Sequence, residues 1–216
     1  MGDALIAALR ETPCPYASRA EVRCASHPLF ALHDRVLWRT YLASVTSLVR
    51  GLADSTDVLA IELPTPAGAC PRKLLAQVTH TLLAGLIQLC KGDARQLYAG
   101  IDSARWEYTL MHRDFFPLVL SPVYPPHHPR YVRWRQPVVL LQPESSFTKH
   151  GISSASAGRK RISASVERAF LEAGKQYHGH VTRLLPKAYR VVKAVSEADP
   201  PICWWDTLTF TGNSTT

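Results

Sequence analysis

Apolar positions along this chain switch between a helical period and a strand-like one, and the switches mark the elements. From Arg35 to Leu52, Val36, Leu37, Tyr41, Val45, Leu48, Val49 and Leu52 recur at helical spacing, which sets them on one side of a helix. Asp34 is placed to cap it and Gly51 to end it. Val58–Leu63 is a short apolar run closed by Pro64 and Pro66, the pattern of a buried strand. Pro71 opens a long helix over Arg72–Lys91, with Leu74, Leu75, Val78, Leu82, Leu86 and Leu89 as its stripe and Gly92 beyond its end. Trp106–Met111, Phe115–Leu120 and Pro137–Leu141 read as strands. The first two form a hairpin about His112-Arg113-Asp114, and the third is a candidate for the same sheet.

The ends are weaker in pattern. Residues 1–34 are expected to be a weakly structured segment, with one short helix at Asp3–Arg10 stopped by Pro13 and Pro15. Ser145–Gly158 is rich in Ser and Gly and reads as mobile. Arg159–Glu172 is an amphipathic helix carrying Ile162, Val166, Ala169, Phe170 and Ala173, closed by Gly174. Leu184–Val195 has the pattern of another helix, entered through Pro186. Cys203, Trp204 and Trp205 form an apolar knot, and 211–216 read as a frayed tail. Residues 35–210 are therefore expected to form one α+β domain. Its largely antiparallel central sheet packs against several helices.

One stretch stands out within that frame. Between Phe115–Leu120 and Pro137–Leu141 lies a loop holding Pro122, Pro125, Pro126 and Pro129. Each proline fixes its own φ and restrains the residue before it. The loop is stiff, and it carries His127, His128 and Arg130 between Tyr124 and Tyr131. Rigid display of imidazoles and a guanidinium among aromatics suits a ligand pocket. A solvated, proline-rich surface loop has the same composition.

Composition narrows the setting. The chain has 216 residues, 46% of them hydrophobic, enough for a real core. No apolar run approaches a membrane span, and the N-terminus shows neither a secretory signal nor a myristoylation motif. Five cysteines occur, an odd number with no C-x-x-C pair, which argues against a disulfide framework and a structural zinc site. A reducing, cytoplasmic setting is expected. Net charge is +8, but the basic residues are dispersed. Only Gly158–Arg161 clusters, and it reads as a solvated helix face. Nucleic-acid binding rests on net charge alone, since no recognition motif is legible.

Established catalytic motifs are missing. There is no nucleophile elbow, no phosphate-binding glycine loop, no helical H-E-x-x-H and no carboxylate pair set for acid–base work. His178-x-His180 places two rings on one face of an extended segment, a weak metal-binding pattern. His80 lies alone on the long helix.

The blocks W-E-Y (106–108), D-F-F (114–116), S-P-x-Y-P-x-x-H-P-R-Y (121–131) and L-L-Q-P-E-x-S-F (140–147) occur in order. Together with the Arg159–Gly174 helix and Tyr177-His178, they resemble the YqcI/YcgG-type family over roughly 58–195. At Ser26–Ala31 the chain carries S-H-P-L-F-A where that family has an F-P-C-x-F-A-like block. The wider family includes heme-dependent oxygenases that hydroxylate nitrogen of small amines and amino acids in specialised metabolism. The resemblance implies heme b, an electron donor and a small amine or amino-acid substrate; whether the chain works alone or as a homodimer is left open. It implies His128 as the iron ligand. His127, Arg130, Tyr124, Trp106, Phe116 and Phe147 would be about the cofactor, and Tyr177 and His178 beside the substrate. Arg130 would grip a propionate or a substrate carboxylate through its planar fork. A structural role is the other reading of His128-Pro129-Arg130: Arg130 pairs with Glu144 and locks the loop. The rival function is a non-catalytic protein that keeps the fold and binds a small ligand or a partner.

Overall fold

The strand-period runs assemble into one five-stranded sheet. The computed structural model describes residues 2–26, 34–65, 72–151, 156–177, 185–196 and 198–206. In chain order the elements are α1 (Gly2–Arg10), β1 (Val22–Ala25), α2 (Arg35–Arg50), β2 (Val58–Glu62), α3 (Arg72–Leu89), β3 (Tyr108–Leu110), β4 (Arg113–Leu120), β5 (Val138–Pro143), α4 (Glu144–Lys149) and α5 (Ser156–Glu172). The sheet order is β1-β2-β5-β4-β3. Only β1 and β2 are parallel, with Cys24 opposite Ala60. The other three pairs are antiparallel. This is an α+β fold with a largely antiparallel sheet, as the periodicity predicts.

The two sheet faces are covered differently. Leu59, Ile61, Phe115, Val119, Val139 and Leu141 face α2 and α3, which contribute Tyr41, Leu42, Val45, Leu75, Leu82 and Leu86. Ala60, Leu120 and Val138 face α1, through Leu5, Ala8 and Leu9, together with Val132 and Trp134. β2 is buried along its whole length. That explains why it reads as a continuous apolar run and not as an alternation. Helices α2 and α3 approach closely at Gly85, where an added Cβ would lie 2.6 Å from Leu42 Cδ1.

Several expectations change. Residues 2–25 are not weakly structured: α1 lies against the sheet and β1 is its edge strand. A four-residue strand is too short to show its period, and pairing with β2 is what holds it. The β3–β4 turn is Met111-His112, both at positive φ (50° and 62°), so Arg113 and Asp114 belong to β4 and Leu110 pairs with Arg113. Two central residues at positive φ make the tight turn that suits a twisted hairpin. Val36 and Leu37 are exposed, and Trp38 and Leu42 turn inward in their place. The stretch expected to be mobile begins with helix α4. The helix expected near the end is one 3₁₀ turn, Lys187–Arg190. Beyond it Val191 gives its carbonyl to the Val119 N–H (2.9 Å), so the segment extends sheet contacts where a helix would bond to itself. The tail at 211–216 lies outside the described residues. Among the described residues no helix is long and apolar enough to cross a membrane.

Candidate functional site

The stiff loop is closed on itself. The Ser121 N–H donates to the Arg130 carbonyl (2.9 Å), the His128 N–H to Pro125 (2.8 Å) and the Tyr131 N–H to His128 (3.0 Å). His128 is thereby turned inward, only 6% exposed, and stacked on Tyr124 with ring centroids 4.3 Å apart and planes within 9°. Its Nδ1 accepts from the Arg130 backbone N–H at 3.0 Å. An accepting Nδ1 leaves the ring proton on Nε2, which donates to the Ala194 carbonyl at 3.1 Å. Burial lowers the imidazole pKa to about 4, against the opposing pull of the Ala194 bond and with help from the charges on Arg130 and Lys193. At neutral pH this histidine is uncharged.

Two chain segments grip the loop. Residues 190–194 hold it from one side: the Tyr124 hydroxyl donates to the Lys193 carbonyl (2.9 Å), and Arg130 Nη2 donates to the Arg190 carbonyl (2.9 Å). The segment after α5 holds it from the other. Gly174, at φ 71°, ends α5 and turns the chain toward the loop. The Gln176 N–H then donates to the His127 carbonyl (2.8 Å) and Lys175 Nζ to the Pro126 carbonyl. Lys175 also sits over the Tyr131 ring (5.0 Å) and Lys193 over the Tyr177 ring (5.6 Å). Burial lowers the pKa of both Arg130 and Lys175. The result is a cationic, aromatic surface around a stiff loop.

Of the residues implicated from sequence, Tyr124, His127, His128, Arg130 and Tyr177 are brought together. Trp106 is not among them. It is buried in the main core, donates Nε1–H to the Leu97 carbonyl (3.0 Å) and meets Trp204 edge-on. Phe116 and Phe147 pack edge-on against each other at 6.4 Å. Alternation along β4 turns Phe116 away from the face that Phe115 shares with Trp106. These three aromatics therefore line no common slot. His178 and His180 lie outside the described residues.

His128 does not fit an axial-ligand role here, because both ring nitrogens are engaged within the chain. An iron bond at Nε2 would have to displace both the proton and Ala194. Arg130 does not pair with Glu144 either; Glu144 meets Lys187 at 3.5 Å, and Lys187 meets Glu107 at 3.1 Å. Among the described residues no three His, Cys, Asp or Glu side chains gather as a metal site. Clefts of about 270 and 330 Å³ border Tyr108 and Arg161 respectively, and neither is lined by the loop.

Sequence reading missed Lys175 and Lys193. Lys175 carries a signal, since it directly follows the glycine that ends α5; Lys193 carries none. It also missed a second polar cluster, around Asp57 at the start of β2. This carboxylate, with a side chain 4% exposed, accepts from Ser146 Oγ (2.9 Å), Lys149 Nζ (3.1 Å), His150 Nε2 (3.0 Å) and the Glu21 N–H (2.9 Å). Burial alone would raise its pKa, but the donors outweigh it and bring the group to about 2. Ser146 points at the carboxylate and not at His150, so the cluster is no nucleophile–base relay. It pins α4 to the sheet.

Comparison of the chain with family models, curated proteins and solved structures finds no match.

Proposed function

We propose that this protein binds a small carboxylate-bearing ligand against the 121–131 loop, with Arg130 as its anchor and without chemistry at His128. One observation carries the reading: the half-buried Arg130 guanidinium meets a single carbonyl and no carboxylate among the described residues. A guanidinium withdrawn from water calls for an anion, and its planar fork suits a carboxylate held by two parallel bonds. Lys175 beside Tyr131 adds charge and an aromatic wall. His128 is the loop's internal brace in this reading. Thermal-shift titration with α-amino acids and simple carboxylates tests it. A saturable rise in Tm is expected, with affinity falling at least about tenfold in Arg130→Lys, which keeps the charge and loses the fork. If no carboxylate shifts Tm, or if Arg130→Gln loses stability while affinity stays unchanged, Arg130 is a structural clamp.

A second reading, heme-dependent hydroxylation of an amine or amino-acid nitrogen, follows from the YqcI/YcgG-like blocks. The observation that favours it is His127, exposed on the same stiff loop with no ring partner among the described residues. Arg130 would then hold a propionate. Hemin titration separates the two. This reading expects a Soret band that survives His128→Ala and is lost in His127→Ala; no band in the wild type ends it.

A further inference from the structure

Most buried side-chain oxygens in a folded chain have a partner. Among the described residues, Ser26 Oγ, Glu62 Oε2, Thr65 Oγ1 and Gln136 Oε1 are buried and have none, and the fold places their residues near one another. Ala25 pairs with Ile61, so Ser26 and Glu62 follow side by side at the carboxyl ends of the two parallel strands. The Leu63 carbonyl accepts both the Thr65 N–H (2.7 Å) and Gln136 Nε2 (3.0 Å), which draws those two residues to the same spot. The carboxyl ends of parallel strands are where open sheets commonly hold ligands.

The chemistry is uniform. Glu62 contributes the carboxylate; its side chain is fully buried. Its Oε1 accepts from Trp134 Nε1 (2.6 Å), and Arg135 reaches it only at 4.0 Å from a largely solvent-facing position. Its Oε2 meets no donor among the described residues. The other three groups are an amide oxygen and two hydroxyls. All are hard oxygen ligands carrying one formal negative charge between them, which suits a single positive charge. We propose that this corner binds a small monovalent cation, an alkali-metal ion or ammonium, that ties β1, β2 and the chain before β5 together. A divalent ion would bring more charge than one carboxylate balances in a buried position next to Arg135.

The test is thermal unfolding of the full chain in lithium, sodium, potassium, ammonium and tetramethylammonium chlorides at one fixed ionic strength. A cation that fits should raise Tm by about 3–6 °C at ten times its Kd, and tetramethylammonium should not. Glu62→Gln, which keeps the shape and removes the charge, should abolish the difference between salts. Thr65→Val, which removes one oxygen with little change of volume, should raise the half-saturating concentration several-fold and serves if Glu62→Gln does not fold. Equal Tm in every chloride would mean a bound water only and overturns the proposal. So would an ion-specific gain that both variants retain, or saturable stabilisation by calcium or magnesium that Glu62→Gln removes.

Discussion

Single residues explain much of the local behaviour. His128 is held neutral, with its pKa at about 4 against an ordinary 6.5. As pH falls below 6.5 the unfolded chain takes up a proton at this ring and the folded chain does not. Stability contributed here is therefore complete above pH 6.5 and falls through the window down to pH 4, by on the order of 3 kcal/mol. Urea unfolding at pH 7 and pH 5 should show about 2 kcal/mol of that loss, and His128→Gln should shrink it while costing about 1–3 kcal/mol at pH 7. The end of α3 shows a different constraint. Gly92 donates to Ile87 (2.9 Å) and Lys91 to Gln88 (3.1 Å), the paired bonds of a Schellman cap. The residue at positive φ is Lys91, at 60°, and not the glycine. Gly92 is needed for space, because a Cβ there would lie 2.8 Å from Ile87 Cγ2. Lys91→Gly should stabilise the protein by about 0.5–1 kcal/mol and Gly92→Ala should destabilise it, both readable as shifts in the urea midpoint.

Among elements, the short helix α4 depends most on a distant partner. Six residues are too few to hold a helix in water, and its N-cap Pro143 supplies no side-chain bond. Ser146 and Lys149, with His150 just past its end, all reach back to Asp57. Asp57→Asn keeps the size but removes the charge that four donors share, three of them from α4 and His150. It should cost about 2–3 kcal/mol and speed hydrogen exchange in α4 before the rest of the sheet. The carboxylate contribution is present above its unfolded pKa of 3.8 and is lost as pH falls toward 2. The α2–α3 pair is limited by steric contact. Gly85→Ala gains helix propensity but drives a methyl into Leu42. The double change with Leu42→Ala should show a favourable coupling of about 0.5–3 kcal/mol in a double-mutant cycle.

For the whole molecule, the final described segments act as a fastener. Trp204 is fully buried, donates Nε1–H to the Ala188 carbonyl (2.8 Å) and packs edge-on to Trp106. Val191 and Val192 are buried in the same core, while Val191, Lys193 and Ala194 carbonyls hold β4 and the 121–131 loop. The candidate site is thus built on contacts that span the chain. Trp204→Ala should cost about 3–5 kcal/mol and weaken carboxylate binding at Arg130 as well, although the two residues share no contact. If calorimetry shows the stability loss while ligand affinity is unchanged, the loop holds its shape without this segment.

Amphipathic periods in α2 and α3 and the apolar runs of β2, β4 and β5 made these elements legible from sequence, because burial of one face or of a whole strand writes itself into residue spacing. The stiffness of the 121–131 loop was legible too, since proline restricts the backbone locally. Tertiary structure alone decided the rest. β1 and α4 are too short to carry a period and exist through partners far along the chain, β2 and Asp57. The late segment with a helical pattern gave up a helix because the β4 edge claimed its carbonyl. His128 had the sequence context of a displayed ligand, yet which atoms its ring meets depended on Arg130 folding back and on Ala194, 66 residues away. Local sequence sets which conformations are accessible; the partner of a buried polar atom is chosen by whichever distant donor or acceptor the packing brings within reach.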